Sequence, residues 1–243
     1  MEIRLNKFLS ESGVCSRREA DRLIESGKVT VDGKRAEMGM KVTDSQVVRV
    51  GKKVIRPQDE MVLLAVNKPV GIVCTEEKKE KNNIIQFLNY PTRITYIGRL
   101  DKDSEGLLLM TNNGDIINKM MRSGNQHEKE YKVTVNKPIT PEFIQKMAGG
   151  VPILDTVTRK CEVEMIGKYK FRIVLTQGLN RQIRRMCEYL GYKVTRLERV
   201  RVMNIELGNL KPGEYRKVTD DEIAELYDLI KDSSNETVKV EEI

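Results

Sequence analysis

Between Gly98 and Asp115 the chain reads GRLDKDSEGLLLMTNNGD. Within it, DKDSEG sets acidic side chains at positions one, three and five and glycine at six, the opening of a calcium loop. Such a loop needs a bidentate acid at position twelve. Counted from Asp101 that place is Asn112, and Leu107, Leu108, Leu109 and Met110 stand where polar ligands belong. TNNGD should also interrupt the helix that would follow. A glycosidase pair of Asp101 and Asp103 fails on reach, because neighbours two apart hardly straddle the ~5–9 Å that chemistry needs. Two readings survive. One is a strand–turn–strand whose Asp and Ser side chains bond local backbone. The other is a turn that presents one working carboxylate, Asp101, at the end of the strand RITYIGRL. In that case Arg99, two residues earlier, lies on the same side of the strand. A carboxylate beside guanidinium groups stays ionised and oriented, which suits a nucleophile or a general base.

Two other segments offer partners. In EKEYKVTV, Tyr131 shares a strand face with Val133 and Val135 and is either a core tyrosine or a group facing a site. In LNRQIRRMCEYLG the helical spacing buries Ile183, Met186, Cys187 and Leu190. Arg181 and Arg185 then point outward, as phosphate contacts or a solvated face, while Arg184 sits at the border, able to reach a buried carboxylate.

The chain has 243 residues and a formal net charge of +7. The charge is uneven. Residues 1–56 hold 13 Lys and Arg against 8 Asp and Glu, residues 172–201 hold 8 against 2, and residues 217–243 hold 3 against 9. Two separated basic segments fit an extended polyanion, with nucleic acid first. The cysteines at 15, 74, 161 and 187 form no CxxC and the single histidine is His127. This spacing speaks against a zinc site and against Cys/His or Ser/His catalysis. The first residues, MEIRLNKFLSE, contain no apolar run, and no stretch reaches the roughly 18 apolar residues of a membrane span. A cytoplasmic location with reduced thiols is expected.

The elements that must position these residues are legible in outline. LNKFLSESG suggests a short helix ended by Gly13, and SRREADRLIESG a second, capped by Ser16 with Glu19 completing a capping box. Arg18 and Arg22 lie opposite the apolar face of that second helix. KVTVDGK and SQVVRVGKKV read as strands, the first running into an Asp-Gly turn. The boundaries expected are a small module over 1–56, a linker over 57–60 around Pro57, a larger domain over 61–232, and a polar tail over 233–243. In the larger domain MVLLAVNKPVG begins a buried strand, 94–99 and 106–111 flank the DKDSE turn, YKVTV and FRIVLT are strands, and 181–190 and 220–230 are helices. The fold class is α+β with strands predominating.

NKPVG (67–71), GRLDKDSEGLLLMTNNGD (98–115), KEYKVTV (129–135) and QGLNRQIRRM (177–186) resemble, in this order, the motifs of pseudouridine synthases, in the branch of single-site bacterial enzymes acting on ribosomal RNA. RLNKFLSESGVCSRREADRLIESGKVTVDGK is similar to the S4 RNA-binding domain that precedes the catalytic domain in that branch. The resemblance implies a catalytic domain built on a mixed, mainly antiparallel sheet. It implies that Asp101 is the catalytic carboxylate, that Tyr131 lies against the target base, that Arg184 pairs with Asp101, and that Arg99 fills the space left by a flipped base. The expected RNA contacts are Lys7, Arg17, Arg18, Arg22, Arg181 and Arg185. The implied reaction, uridine to pseudouridine, breaks N1–C1′ and forms C5–C1′ on one nucleotide. It is balanced without redox carrier, metal or ATP, so no cofactor and no metal are expected. Attack at C1′, attack at C6 and proton removal at C2′ all remain open to Asp101. The expected partner is structured RNA, large-subunit ribosomal RNA and possibly tRNA, bound by a monomer. A non-catalytic RNA-binding factor would share the basic segments but leave Asp101, Tyr131 and Arg184 uncoordinated.

Overall fold

Four consecutive residues, Leu107 to Met110, have no exposed surface, and all six residues of Leu63–Lys68 are buried. Strands covered on both faces read as continuous apolar runs, and they belong at the centre of a sheet. The computed structural model, which describes residues 2–58, 60–77, 79–121 and 126–233, places them there. In a nine-stranded sheet the order runs Glu162–Gly167, Lys170–Leu175, Lys129–Val135, Val194–Val202, Glu105–Thr111, Leu63–Lys68, Tyr215–Lys217. Thr95–Ile97 pairs with Glu105–Thr111, and Ile205–Glu206 with Val194–Val202. Five of its ladders are antiparallel, and Val194–Val202 meets Glu105–Thr111 in parallel, with Arg199 opposite Gly106. The sheet is thus mixed and mainly antiparallel.

The chain folds as two compact units. The smaller comprises Met1–Val62 with Tyr90–Thr95 and Thr111–Gly114. Its helices, Leu5–Glu11 and Arg17–Glu25, bury Leu5, Phe8, Leu9, Ala20 and Ile24 against Val29, Val31 and Val48 of a four-stranded sheet. The first helix stops two residues before Gly13. Ser16 accepts from the Glu19 amide at 3.2 Å, as its cap role requires, but the Glu19 carboxylate turns to Arg22 at 3.0 Å. The Asp-Gly turn holds Asp32 and Gly33 at φ 50° and 79°, the left-handed pair that a tight hairpin needs.

In the larger unit the Gln182–Tyr189 helix lays Ile183, Met186 and Cys187 on the sheet against Phe171, Ile173 and Leu197. Leu190, expected inside, is only partly buried, because the helix ends at Tyr189 and the chain turns through Gly191 at φ 77°. Three helices escape the sequence reading: Ile84–Leu88, Gly114–Met121 and Pro141–Gly149. TNNGD ends the strand but does not prevent a helix, which begins at its own glycine. The strand expected over 94–99 stops at Ile97, since Gly98 sits at φ 73°. The polar tail lies, from 234 on, outside the described residues.

Gly106 is the tightest point in the sheet. Its φ is 102°, and a Cβ there would stand 2.7 Å from the Arg199 backbone nitrogen. Backbone on both sides leaves nothing to yield. Gly106→Ala is expected to lose about 2 kcal/mol or more, since both φ and space are wrong for a side chain; urea unfolding of the variant against the parent measures it.

Candidate active site

The turn that carries Asp101 is pinned from several directions. Leu100 and Ser104 are buried on either side of it. The Ser104 amide donates to the Asp101 carbonyl at 3.1 Å, closing the turn. The NKPVG segment supports it from below: the Gly71 amide donates to the Lys102 carbonyl at 2.7 Å. That segment is organised in turn by Lys68, which is wholly buried and donates to the carbonyls of Pro69 and Ile72 at 2.8 and 2.9 Å. Burial lowers the Lys68 pKa, opposed by the nearby charges of Cys74, Asp101, Asp103 and Glu105. A buried ammonium with hydrogen-bonded carbonyls on one side and acidic groups nearby holds this corner in a single conformation.

The arginines of the Gln182–Tyr189 helix meet the turn differently from what the resemblance implies. Arg184 does not pair with Asp101. Its Nη2 donates to the Asp103 carbonyl at 2.7 Å and to Ser104 Oγ at 3.1 Å, and its Nε lies 3.4 Å from the Asp103 carboxylate. Arg181 is the one that reaches Asp101, at 3.8 Å, while clasping both oxygens of Asp103 at 3.1 and 3.0 Å. The reason is backbone geometry. Arg181 occupies the N-cap at φ 51°, a left-handed conformation that bends the chain entering the helix, and a non-glycine residue adopts it only where its surroundings hold it there. Arg185, expected to point outward, turns back to cap its own approach loop, donating to the Asn180 carbonyl and side chain at 3.1 and 3.3 Å.

Asp103 is therefore more than a turn residue. Its carboxyl is held below the usual range, first by hydrogen bonding to Arg181, against a burial cost, with Arg184 adding. Glu105 is likewise engaged, by Arg196 at 2.5 Å. With Asp103 taking the arginine fork, Asp101 keeps only the 3.8 Å ion pair with Arg181 and lines a cavity of about 500 Å³.

Asp101, Arg99 and Tyr131 all line this cavity, so the structure brings together three of the four site residues drawn from sequence. The fourth, Arg184, braces the turn from behind. Arg99 is exposed and, with the strand ended at Ile97, shares the cavity rim with Asp101 instead of a strand face. Tyr131 stands across from Arg199 in the ladder and packs partly into the core, leaving its ring on the wall. Leu175, Ile183 and Leu197 complete an apolar side.

Lys129 and Arg199, which also line the cavity, were missed in the sequence. Their signal was weak: Lys129 lies two residues from Tyr131 on one strand, but Arg199 is one arginine among several in TRLERVRV. The cysteines form no disulfide. All four are free, and burial pushes the thiols of Cys161 and Cys187 up to about 11 and about 12. His127 is structural, nearly buried with its Nε2 at 3.1 Å from the Lys119 carbonyl. Among the described residues no group of three acidic, Cys or His side chains is placed to hold a metal ion. None of the helices among those residues is long and apolar enough to cross a membrane.

In the smaller unit Arg17, Arg18 and Arg22 are exposed along one helix, and Lys7, half-buried on the other helix, stands 3.6 Å from Glu11.

Comparison with known proteins follows the same division. Residues 62–189 match the family model described as RNA pseudouridylate synthase, and residues 3–48 match the S4 domain. The dual-specificity RNA pseudouridine synthase RluF of Salmonella typhi is 59% identical over 96% of this chain and 81% of its own length. Ribosomal large subunit pseudouridine synthase B of Bacillus subtilis is 34% identical over 96% of this chain and 98% of its own. A crystal structure of a pseudouridylate synthase superposes with a TM-score of 0.68 at 28% identity, covering 92% of this chain and 99% of that one. The chain belongs to the RNA pseudouridylate synthase family.

Proposed function

We propose that this chain isomerises a uridine of large-subunit ribosomal RNA to pseudouridine, with a tRNA uridine as a second target, and that Asp101 is the catalytic carboxylate. The observation that carries the reading is the division of labour between neighbouring acids: Asp103 takes the hydrogen bonds of Arg181, while Asp101 lines the cavity with only a 3.8 Å ion pair to that arginine. The ribosomal target rests on the resemblance to synthases of that branch. The second target is supported by the similarity to RluF, a dual-specificity RNA pseudouridine synthase.

A base inside a helix cannot reach Asp101, so the target nucleotide leaves its stack at a cost of a few kcal/mol. Tyr131 receives the ring, and exposed Arg99 stands at the rim where the base would have left a gap. The S4-like part, 1–56 with 57–60 as its connection to the catalytic part, holds structured RNA through phosphate contacts of Lys7, Arg17, Arg18 and Arg22. Arg181 stands 3.8 Å from the Asp101 carboxylate that attacks or removes a proton. Arg184, bonded to the turn backbone, positions it. The protein acts as a monomer in the cytoplasm in this reading, and the isomerisation is balanced without a cofactor.

Mapping pseudouridine in ribosomal and transfer RNA with and without this protein tests the assignment; a signal that vanishes from one nucleotide in each is expected, and an unchanged map would overturn it. Asp101→Asn should keep RNA affinity and lose turnover by about 10³-fold or more. Retained turnover would remove Asp101 from the chemistry. Arg184→Ala should slow turnover by about 10- to 100-fold, more than Arg185→Ala, because only the former releases the Asp103 carbonyl and the Ser104 hydroxyl. Arg18→Ala should weaken RNA binding and reduce the slope of log affinity against log salt by about 0.7–0.9, one phosphate contact, with the rate at saturating RNA unchanged.

A further inference from the structure

From the chemistry of the cavity floor we infer that Lys129 and Arg199 bind the carbonyl oxygens of the flipped uracil and stabilise the negative charge that it carries while detached from C1′. The inference rests on the reading of this cavity as the uridine site and adds to it the groups that hold the leaving base.

Three observations carry it. Arg199 is 3% exposed, and its Nε donates to the Leu107 carbonyl at 2.7 Å, yet its Nη2 is buried with no hydrogen-bond partner. An unmade donor on a buried guanidinium is costly unless something fills it, and Arg199 is among the residues that line the cavity. Lys129 lines the same cavity and donates to the His127 carbonyl at 3.0 Å, which uses one of three protons. Finally, the strand's own acid faces the other way. Glu130, between Lys129 and Tyr131, is clasped on the opposite face by Arg172 at 2.9 Å and Arg201 at 3.1 Å. The ladder thus alternates, with compensated charges on one face and two bare cations on the face that meets the ligand.

The chemistry asks for such a floor. When N1–C1′ breaks, the bonding pair passes to the base and spreads over N1 and the two carbonyl oxygens. When C5–C1′ forms, C5 gives up its proton and N1 takes one, so no atom is gained or lost. Cations set beforehand at the oxygens lower the barrier to the first event. Exposed Arg99 and Arg181 suit phosphate and Asp101 instead.

Burial, with Arg199 adding, brings the Lys129 pKa down to about 8. The charge acting on it is Arg199 from the neighbouring strand, and His127, whose carbonyl it meets, is its titratable neighbour in sequence; Asp101, Arg99, Arg181 and Tyr131 line the same cavity. Lys129 is charged below that pKa, so kcat/KM for the free enzyme should fall as pH rises through about 8.

The test uses the full chain under single-turnover conditions, with target RNA carrying either uridine or 5-fluorouridine at the mapped nucleotide. The readout is loss of the N-linked nucleoside from a nuclease digest. Fluorine withdraws electrons and makes the base a better leaving group, less in need of help. Lys129→Met should be slower by about 100-fold on uridine and by less than about tenfold on 5-fluorouridine. Lys129→Arg, charged at all working pH values, should hold its kcat/KM at pH values where the parent declines. Arg199→Lys, checked by thermal melting to be folded, should show the same uridine-selective deficit. Equal deficits on the two RNAs, or a decline near pH 8 that persists in Lys129→Met, would overturn the inference. Failure of the underlying reading looks different: the parent enzyme would leave both nucleosides unconverted, or Asp101→Asn would match it.

Discussion

The backbone of Arg199 lies against Gly106 so closely that no side chain fits between them, and the geometry of the site follows from that approach. Gly106 opens the strand that leaves the Asp101 turn, and Arg199 belongs to the strand that faces Tyr131. Joining these strands in parallel at one register sets carboxylate, tyrosine and buried guanidinium around a single cavity. A slip by one residue would send every side chain of either strand to its other face. The buried Lys68 and the Gly71–Lys102 hydrogen bond then leave the turn no room to drift. The active corner is thus built on rigid backbone contacts, with charged side chains added upon it.

Around that corner the charges are sorted by role. Asp103 takes the bidentate arginine and Glu105 takes Arg196, so that Asp101, beside them, stays available. Spacing alone makes the three acids look alike. Their difference comes from which guanidinium reaches which oxygen, and that depends on the left-handed turn at Arg181. The same sorting recurs across the Tyr131 strand, where acids and arginines neutralise one another on one face and leave cations bare on the other.

Much of the frame was legible because it depends on local physics. Continuous apolar runs marked the central strands, period-two alternation marked their neighbours, Asp-Gly marked the hairpin, and Ser16 marked a helix start. Thr140 with Pro141, and Thr219 with Glu222, carried equally clear starts: the first begins an unread helix, and the second forms a full capping box on a helix identified without it. Five-residue Ile84–Leu88 had no periodicity to show. The strand expected to carry Arg99 alongside Asp101 fails for a local reason too, since Gly98 takes a positive φ that strand patterning does not register.

What the sequence determined by itself was the two-part α+β organisation, the basic segments, and the motifs that single out Asp101, Tyr131 and the arginine helix. Those depend on residue type and short spacing, which survive without coordinates. Only the tertiary structure decided that Arg181 and not Arg184 approaches Asp101, that Asp103 is the arginine anchor, and that Lys129 and Arg199 floor the cavity. Each of these joins residues between roughly 70 and 100 positions apart or across neighbouring strands. A side chain's partner at such separation is set by register and by the dihedral angles of one or two turns, and neither is written in the pattern of any single segment.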